Sequence, residues 1–331
     1  MDINEDTLPS QSGNSGKYLT TNGSSASWGT ITSPTPAAVS DQANSSTGYM
    51  MMPVGTTAQR PGTPASGMYR MNSTTTVPEW YDTVSASWVP FSEGVPYSVE
   101  YLVVAGGGSG NSGYINDVTA KGGGGGAGGM LTGSTPVTTG AAYSIVVGAG
   151  GAYTFVEATS AGGNDSSIGA LISTIGGGGG GKQSRDGGNG GSGGGGAYNT
   201  APQAGLGTSG QGNNGGPGNI TSAGGGGGKG GVGGTPTGGV GASSSISGSS
   251  VTYAAGGSGG SGASGNGVAG TSNTGNGGGG GGSGASTTGS NGGSGIVIIR
   301  YAGSQRGSGG TVTSSGGYTI HTFTSSGTYT A

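Results

Sequence analysis

The sequence predicts an all-β and polyglycine-II fold: small N-terminal β modules, then a glycine-rich domain with a β base and packed polyglycine-II helices. Three observations predict it. Gly supplies 90 of the 331 residues, against a usual share of ~7%. The glycines come in blocks with few other residues, at 106–108, 122–129, 176–181, 187–196, 224–234, 256–262 and 275–284. Short apolar segments frame those blocks, and polar inserts interrupt them.

Composition divides the chain at about residue 95. A short segment, 1–15, precedes small β modules over 16–95, joined by a Pro-containing linker, TSPTPAAVSDQ. Within 16–31, GKYLTTNGSSASWGTI, the pair Asn22-Gly23 signals a two-residue type I′ hairpin turn. Residues 67–91 read as a second small β unit. Both units end in Ser-Ala-Ser-Trp after a Tyr, with Tyr18 and Trp28 in the first and Tyr81 and Trp88 in the second. Units this small rarely fold alone, so oligomerisation is expected to bury Trp28, Trp80 and Trp88.

The domain over 96–331 opens and closes on strands. Residues 99–105 (VEYLVVA), 143–147 (YSIVV), 296–301 (IVIIRY) and 318–323 (YTIHTF) are expected to form one β base from the two ends of the domain. IVIIRY is apolar at successive positions, which predicts burial on both faces.

The glycine blocks admit three readings. Collagen needs Gly at every third position with abundant Pro; here the glycines come in runs and Pro totals 13. Disorder goes with low hydrophobicity and high charge, yet only 6% of residues are charged and the blocks alternate with apolar strands. The third reading is a bundle of polyglycine-II helices, with three residues per turn and no internal hydrogen bonds. Without Cβ atoms, such helices approach closely and bond sideways. Specificity then falls to the polar inserts at their ends, since loops on a rigid scaffold carry recognition.

Most catalytic and cofactor chemistry has no foothold here. No Cys is present, which removes disulfides and thiolate chemistry. Nine basic and 12 acidic residues are scattered, without the basic cluster that nucleic acid requires. The polar start carries no secretory h-region, and no apolar run is long enough to span a membrane. A GxGxxG match at 108–113 and a GxxxxGK match at 176–182 lack the following helix, and Gln183 replaces the Ser/Thr of a phosphate loop. His321, the single His, is expected to be structural. The carboxylates are too sparse to pick out an acid pair. No enzyme activity and no cofactor are expected. The candidate binding residues lie in three inserts: Tyr114, Asn116 and Asp117; Lys182, Arg185 and Asp186; Tyr198 and Asn199. Tyr beside Asn, Ser and Gly is the chemistry of adaptable protein-binding loops.

The ordered segments VEYLVVAGGG, SIVVGAGG, GGSGIVIIRY and GGTVTSSGGYTIHTFTSSGTYT resemble the glycine-rich domain of bacteriophage tail-fibre and adhesin proteins, over about residues 98–331. The two N-terminal units resemble short fibre modules more loosely, with Pro78-Glu79-Trp80 departing from the usual acidic-aromatic spacing. The resemblance implies an external virion appendage, with polyglycine-II packing and loops that touch a host cell-surface receptor, a polysaccharide or an outer-membrane protein. It implies a homotrimer, and attachment through the N-terminal region to other virion tail or fibre proteins. A capsid-decorating or purely structural fibre is the alternative.

Overall fold

The computed structural model describes residues 9–30, 52–84, 86–91, 96–113, 119–154, 160–182, 185–198, 203–262, 265–284 and 287–331. The chain divides into two units, 1–52 and 53–331. Among the described residues the structure is all-β, and the only helix is a single 3-10 turn at Thr57–Gln59.

The first unit holds one hairpin, β1 (Lys17–Thr21) against β2 (Ala26–Thr30). Its turn differs from the expected type I′ form. The last strand pair is Thr21↔Ala26, so the loop spans 22–25. Only Gly23 takes a positive φ, 90°. The Asn22 side chain closes the loop instead, its Oδ1 accepting the N–H groups of Ser24 at 3.0 Å and Ser25 at 2.9 Å. This local Asx geometry competes with the two-residue turn. Trp28 is half-buried and donates its indole N–H to the Ser10 carbonyl at 3.0 Å.

The second unit begins with a four-stranded sheet in the order β3 (Val54–Gly55), β4 (Tyr69–Asn72), β5 (Val77–Asp82), β6 (Ser87–Pro90). Glu79, in the Pro78-Glu79-Trp80 segment, is 1% exposed. It accepts from Arg60 Nε at 3.1 Å and Nη2 at 2.6 Å, and from Asn72 at 2.9 Å. Arg70 Nε stands 3.6 Å away, while its Nη1 donates to the Gln59 carbonyl at 2.7 Å. These bonds hold a carboxylate that could not otherwise be buried. Trp88 packs on Tyr81 at 5.7 Å, and Trp80 stays 39% exposed.

Two sheets form the β base rather than one. β7 (Pro96–Val104), β8 (Met130–Thr138), β14 (Ile296–Ala302), β15 (Thr311–Ser315) and β16 (Tyr318–Phe323) make an antiparallel sheet in the order β15-β16-β14-β7-β8. β9 (Ala142–Val146), β10 (Ser166–Ile168), β11 (Ile172–Thr174) and β17 (Gly327–Thr330) make the other, β11-β10-β9-β17. The expected strand at 143–147 joins this second sheet because Ile145 is buried in the core shared with Val103, Ile299 and Phe323. The opposite face of the five-stranded sheet, with Leu102, Val104, Ile296 and Ile298, packs on Ile246 and Tyr253 of the hairpin β12 (Ala242–Ser244)–β13 (Val251–Tyr253). Strand β14 is therefore covered on both faces, as its apolar run predicts.

The rest of the domain is a set of extended glycine passes. They bond to one another with a repeat of three residues. The pass 122–129 shows this most fully. Gly123, Gly126 and Gly129 donate to the carbonyls of Gly181, Gly178 and Ile175. Gly124 and Ala127 donate to Gly224 and Gly227; Gly122, Gly125 and Gly128 donate to Gly281, Gly278 and Gly275. These bonds measure 2.8 to 3.0 Å. Its carbonyls rotate likewise, receiving N–H groups from 257–260, 105–111 and 192–195. The pass is thus enclosed by 105–111, 175–181, 192–195, 224–227, 257–260 and 275–281, and among the described residues all its amides and every carbonyl but that of Gly128 are paired with backbone without a sheet or a helix. A Cβ on Gly125 would overlap the carbonyl oxygen of Gly108, so only glycine fits there.

Candidate functional site at the far end of the glycine passes

The β base fixes the direction of each pass. The pass 105–113 leaves β7, and 119–129 returns into β8. Passes 175–182 and 192–198 also run outward, while 185–191 and 203–207 run back. Outgoing passes therefore end, and returning passes begin, at the end of the domain remote from the sheets. Gly113, Lys182 and Tyr198 are the last described outward residues of three neighbouring passes. Thr119, Arg185 and Gln203 are the first on the way back.

The ends of the three polar inserts meet there. Tyr198 N–H donates to the Lys121 carbonyl at 3.2 Å, and the Lys121 ammonium lies 4.4 Å from the centre of the Tyr198 ring. Ala197 N–H donates to the Arg185 carbonyl at 3.3 Å. Asp186 Oδ1 accepts the Gln203 N–H at 2.8 Å, tying two passes together. Arg185 and Asp186 are exposed and Tyr198 is half-buried. Among the described residues the Arg185 side chain makes no hydrogen bond or ion pair. The face combines an exposed guanidinium with a half-buried tyrosine ring that covers the largely buried Lys121 ammonium. Such groups can bind anionic or hydroxyl-rich ligands.

Of the residues singled out from sequence, Arg185, Asp186 and Tyr198 fall on this face. Lys182 ends its pass at the same place but is corrected: it is 3% exposed, buried rather than displayed at a tip. Tyr114, Asn116, Asp117 and Asn199 lie outside the described residues. Sequence reasoning passed over Lys121. Its signal was position, since it is the cation closing the first insert just before a glycine block.

The two phosphate-loop look-alikes have their amides occupied. Gly108 N–H goes to Gly126, Gly110 to Ser290, and Gly177 and Gly180 to Gly106 and Ser109. A phosphate cradle needs those N–H groups free. His321 is fully buried, its Nδ1 2.8 Å from the Gly309 carbonyl and its Nε2 2.9 Å from the Tyr301 hydroxyl. Among the described residues no group of three His, Cys, Asp or Glu could hold a metal ion, and no helix is long and apolar enough to cross a membrane.

A family model described as a glycine-rich domain matches residues 72–302. No curated protein and no solved structure matches the chain. The match takes in β7, β14 and every glycine pass between them, well over half of the length, and the chain belongs to this glycine-rich domain family.

Proposed function

We propose that the chain is a fibre protein of a bacteriophage virion that recognises a host cell-surface receptor with the far end of its glycine passes. One observation carries the reading. The ends of three polar inserts are brought side by side at the end remote from the β base, through Tyr198–Lys121, Ala197–Arg185 and Gln203–Asp186. The passes themselves are read as polyglycine-II helices. The three-residue repeat of their partners supports this, because three residues per turn send successive N–H groups in directions about 120° apart. A scaffold of this kind holds its end loops firmly, so recognition there loses little ordering entropy.

The receptor is a bacterial surface polysaccharide or outer-membrane protein, bound without chemistry. The N-terminal region attaches to other virion proteins, and a homotrimer covers the half-exposed tryptophans Trp28, Trp80 and Trp88. The test is direct. Purified protein should bind permissive cells and block infection by the parent phage, and an Arg185→Ala/Tyr198→Ala double variant should do neither. Equal binding by the double variant refutes the site. Binding to no bacterial strain refutes the receptor reading and leaves a decorating fibre.

A further inference from the structure

The glycine packing is closed around 122–129 but open beside 276–282. On that second pass, Gly277 and Gly280 donate to Ala255 and Ser258, Gly278 and Gly281 to Gly108 and Asn111, and Gly279 and Gly282 to Val268 and Gly265. The carbonyls of Gly278 and Gly281 receive Gly125 and Gly122, and those of Asn276 and Gly279 receive Gly293 and Ser290. The carbonyls of Gly277 and Gly280 receive no backbone N–H among the described residues. They line a cleft of about 410 Å³ whose walls are the passes 255–261 and 265–271. Both walls bond to 276–282, and neither bonds to the other.

The walls are open at matching positions. Among the described residues, the amides of Ser258 and Val268 have no backbone acceptor. Completed passes follow a rule: the N–H and C=O of one residue reach two passes that are themselves bonded. Gly125, for example, donates to Gly278 and accepts from Gly257, and Gly277 of the first pass bonds Ala255 of the second. Ser258 and Val268 give their carbonyls to Gly280 and Gly279. By the same rule their amides turn toward the position next to 276–282, which is the cleft. The Gly280 amide goes to Ser258, so its carbonyl turns there too.

We infer that this cleft is a vacant position in the packing and takes one extended glycine-rich segment from a partner chain. The segment's N–H groups, three residues apart, answer the Gly277 and Gly280 carbonyls. Its own carbonyls accept from Ser258 and Val268. Six such residues extend ~19 Å. The occupant is glycine-rich because close backbone approach leaves no room for a Cβ, as at Gly125. This is strand addition to a sheet edge transposed to a three-residue helix. It rests on the polyglycine-II reading of the passes and is independent of the receptor reading.

Amide exchange on the full chain separates the two. The probe is an acetylated, amidated nonapeptide, (Gly-Gly-Ser)₃. At saturation it should slow exchange at Ser258 and Val268 by about tenfold, while Gly125 and Gly178 stay protected with or without it. A nonamer of sarcosine, which lacks N–H groups, should leave Ser258 and Val268 unchanged. No slowing at Ser258 and Val268, with Gly125 and Gly178 protected, overturns the inference and leaves the packing intact. Fast exchange at Gly125 and Gly178 in the free chain overturns the polyglycine-II reading itself. Equal slowing by sarcosine refutes the hydrogen-bond basis. Slowing by a linear oligosaccharide and not by the peptide refutes the occupant.

Discussion

The Gly125 amide donates to the carbonyl of Gly278 at 2.8 Å, although the two lie on glycine blocks far apart in the chain. A side chain at either position would sit where a neighbouring backbone already is. Gly125 faces the Gly108 carbonyl, and Gly278 the Ser290 carbonyl. Gly125→Ala should therefore cost at least about 3 kcal/mol, because backbone must move to admit the methyl group. At Gly265, by contrast, a methyl group would meet nothing within 4 Å, and the φ is not unusual. Gly265→Ala should be neutral or stabilising by about 0.5 kcal/mol through the unfolded chain. Thermal or denaturant unfolding of the two variants reads the difference, and equal effects would contradict backbone packing.

A second prediction concerns the β base. The Tyr301 hydroxyl accepts the N–H groups of Arg306 at 2.9 Å and Gly307 at 3.0 Å, which leaves its proton for His321 Nε2. The Nδ1 proton of His321 is then directed at Gly309. Tyr301→Phe strands these groups in the core and should destabilise by about 1–3 kcal/mol. Tyr97→Phe, at a half-buried hydroxyl 2.8 Å from Tyr329, should cost less, about 1 kcal/mol. Chemical denaturation of both variants makes the comparison.

Acid should loosen the sheet of β3 to β6 in particular. The Arg60 hydrogen bonds, then Asn72 and the two guanidinium charges, hold the Glu79 carboxyl below its ordinary range against the opposing effect of burial. A depressed folded pKa stabilises above the unfolded value, ~4.3, and that contribution is lost as pH falls through the folded one. Trp80 and Trp88 fluorescence should thus report loosening below about pH 4. Glu79→Gln should remove that acid step and cost about 3 kcal/mol at neutral pH, since Arg70 loses its buried counter-charge.

At the far end, function and stability should separate by residue. Arg185→Ala is expected to lower cell binding at least about tenfold, with stability changed by less than about 0.5 kcal/mol. Asp186→Ala removes the acceptor for Gln203 N–H and should cost about 1 kcal/mol. Surface-plasmon or whole-cell binding, set beside melting curves, distinguishes the two.

The elements with apolar runs were legible in the sequence. β14 falls where IVIIRY places it, because a doubly covered strand leaves a run of Ile and Val, and β16 falls at YTIHTF, whose Tyr, Ile and Phe are interspersed with polar residues. β8 was not legible. Its MLTGSTPVT carries a Gly and a Pro that read as loop, yet it pairs with β7 through nine positions. It lies at a sheet edge, where a missing Pro N–H is tolerated. β15 is exposed along its whole length, so no hydrophobic pattern marks it. The glycine blocks were legible as packed passes, but not their wiring, since one glycine cannot be told from another until its partner is known. The same limit hid the burial of Lys182, whose position follows from the pass that carries it.

The pass at 122–129 has a consequence for how such a chain can change over generations. Its interior holds a single side chain, the methyl of Ala127, so its vocabulary is narrow: where a Cβ would meet neighbouring backbone, as at Gly125, a substitution breaks the stack. Drift is then channelled to the reversals, where length and composition can vary without consulting the interior. A molecule organised this way renews its outer surface rapidly while its architecture stands still.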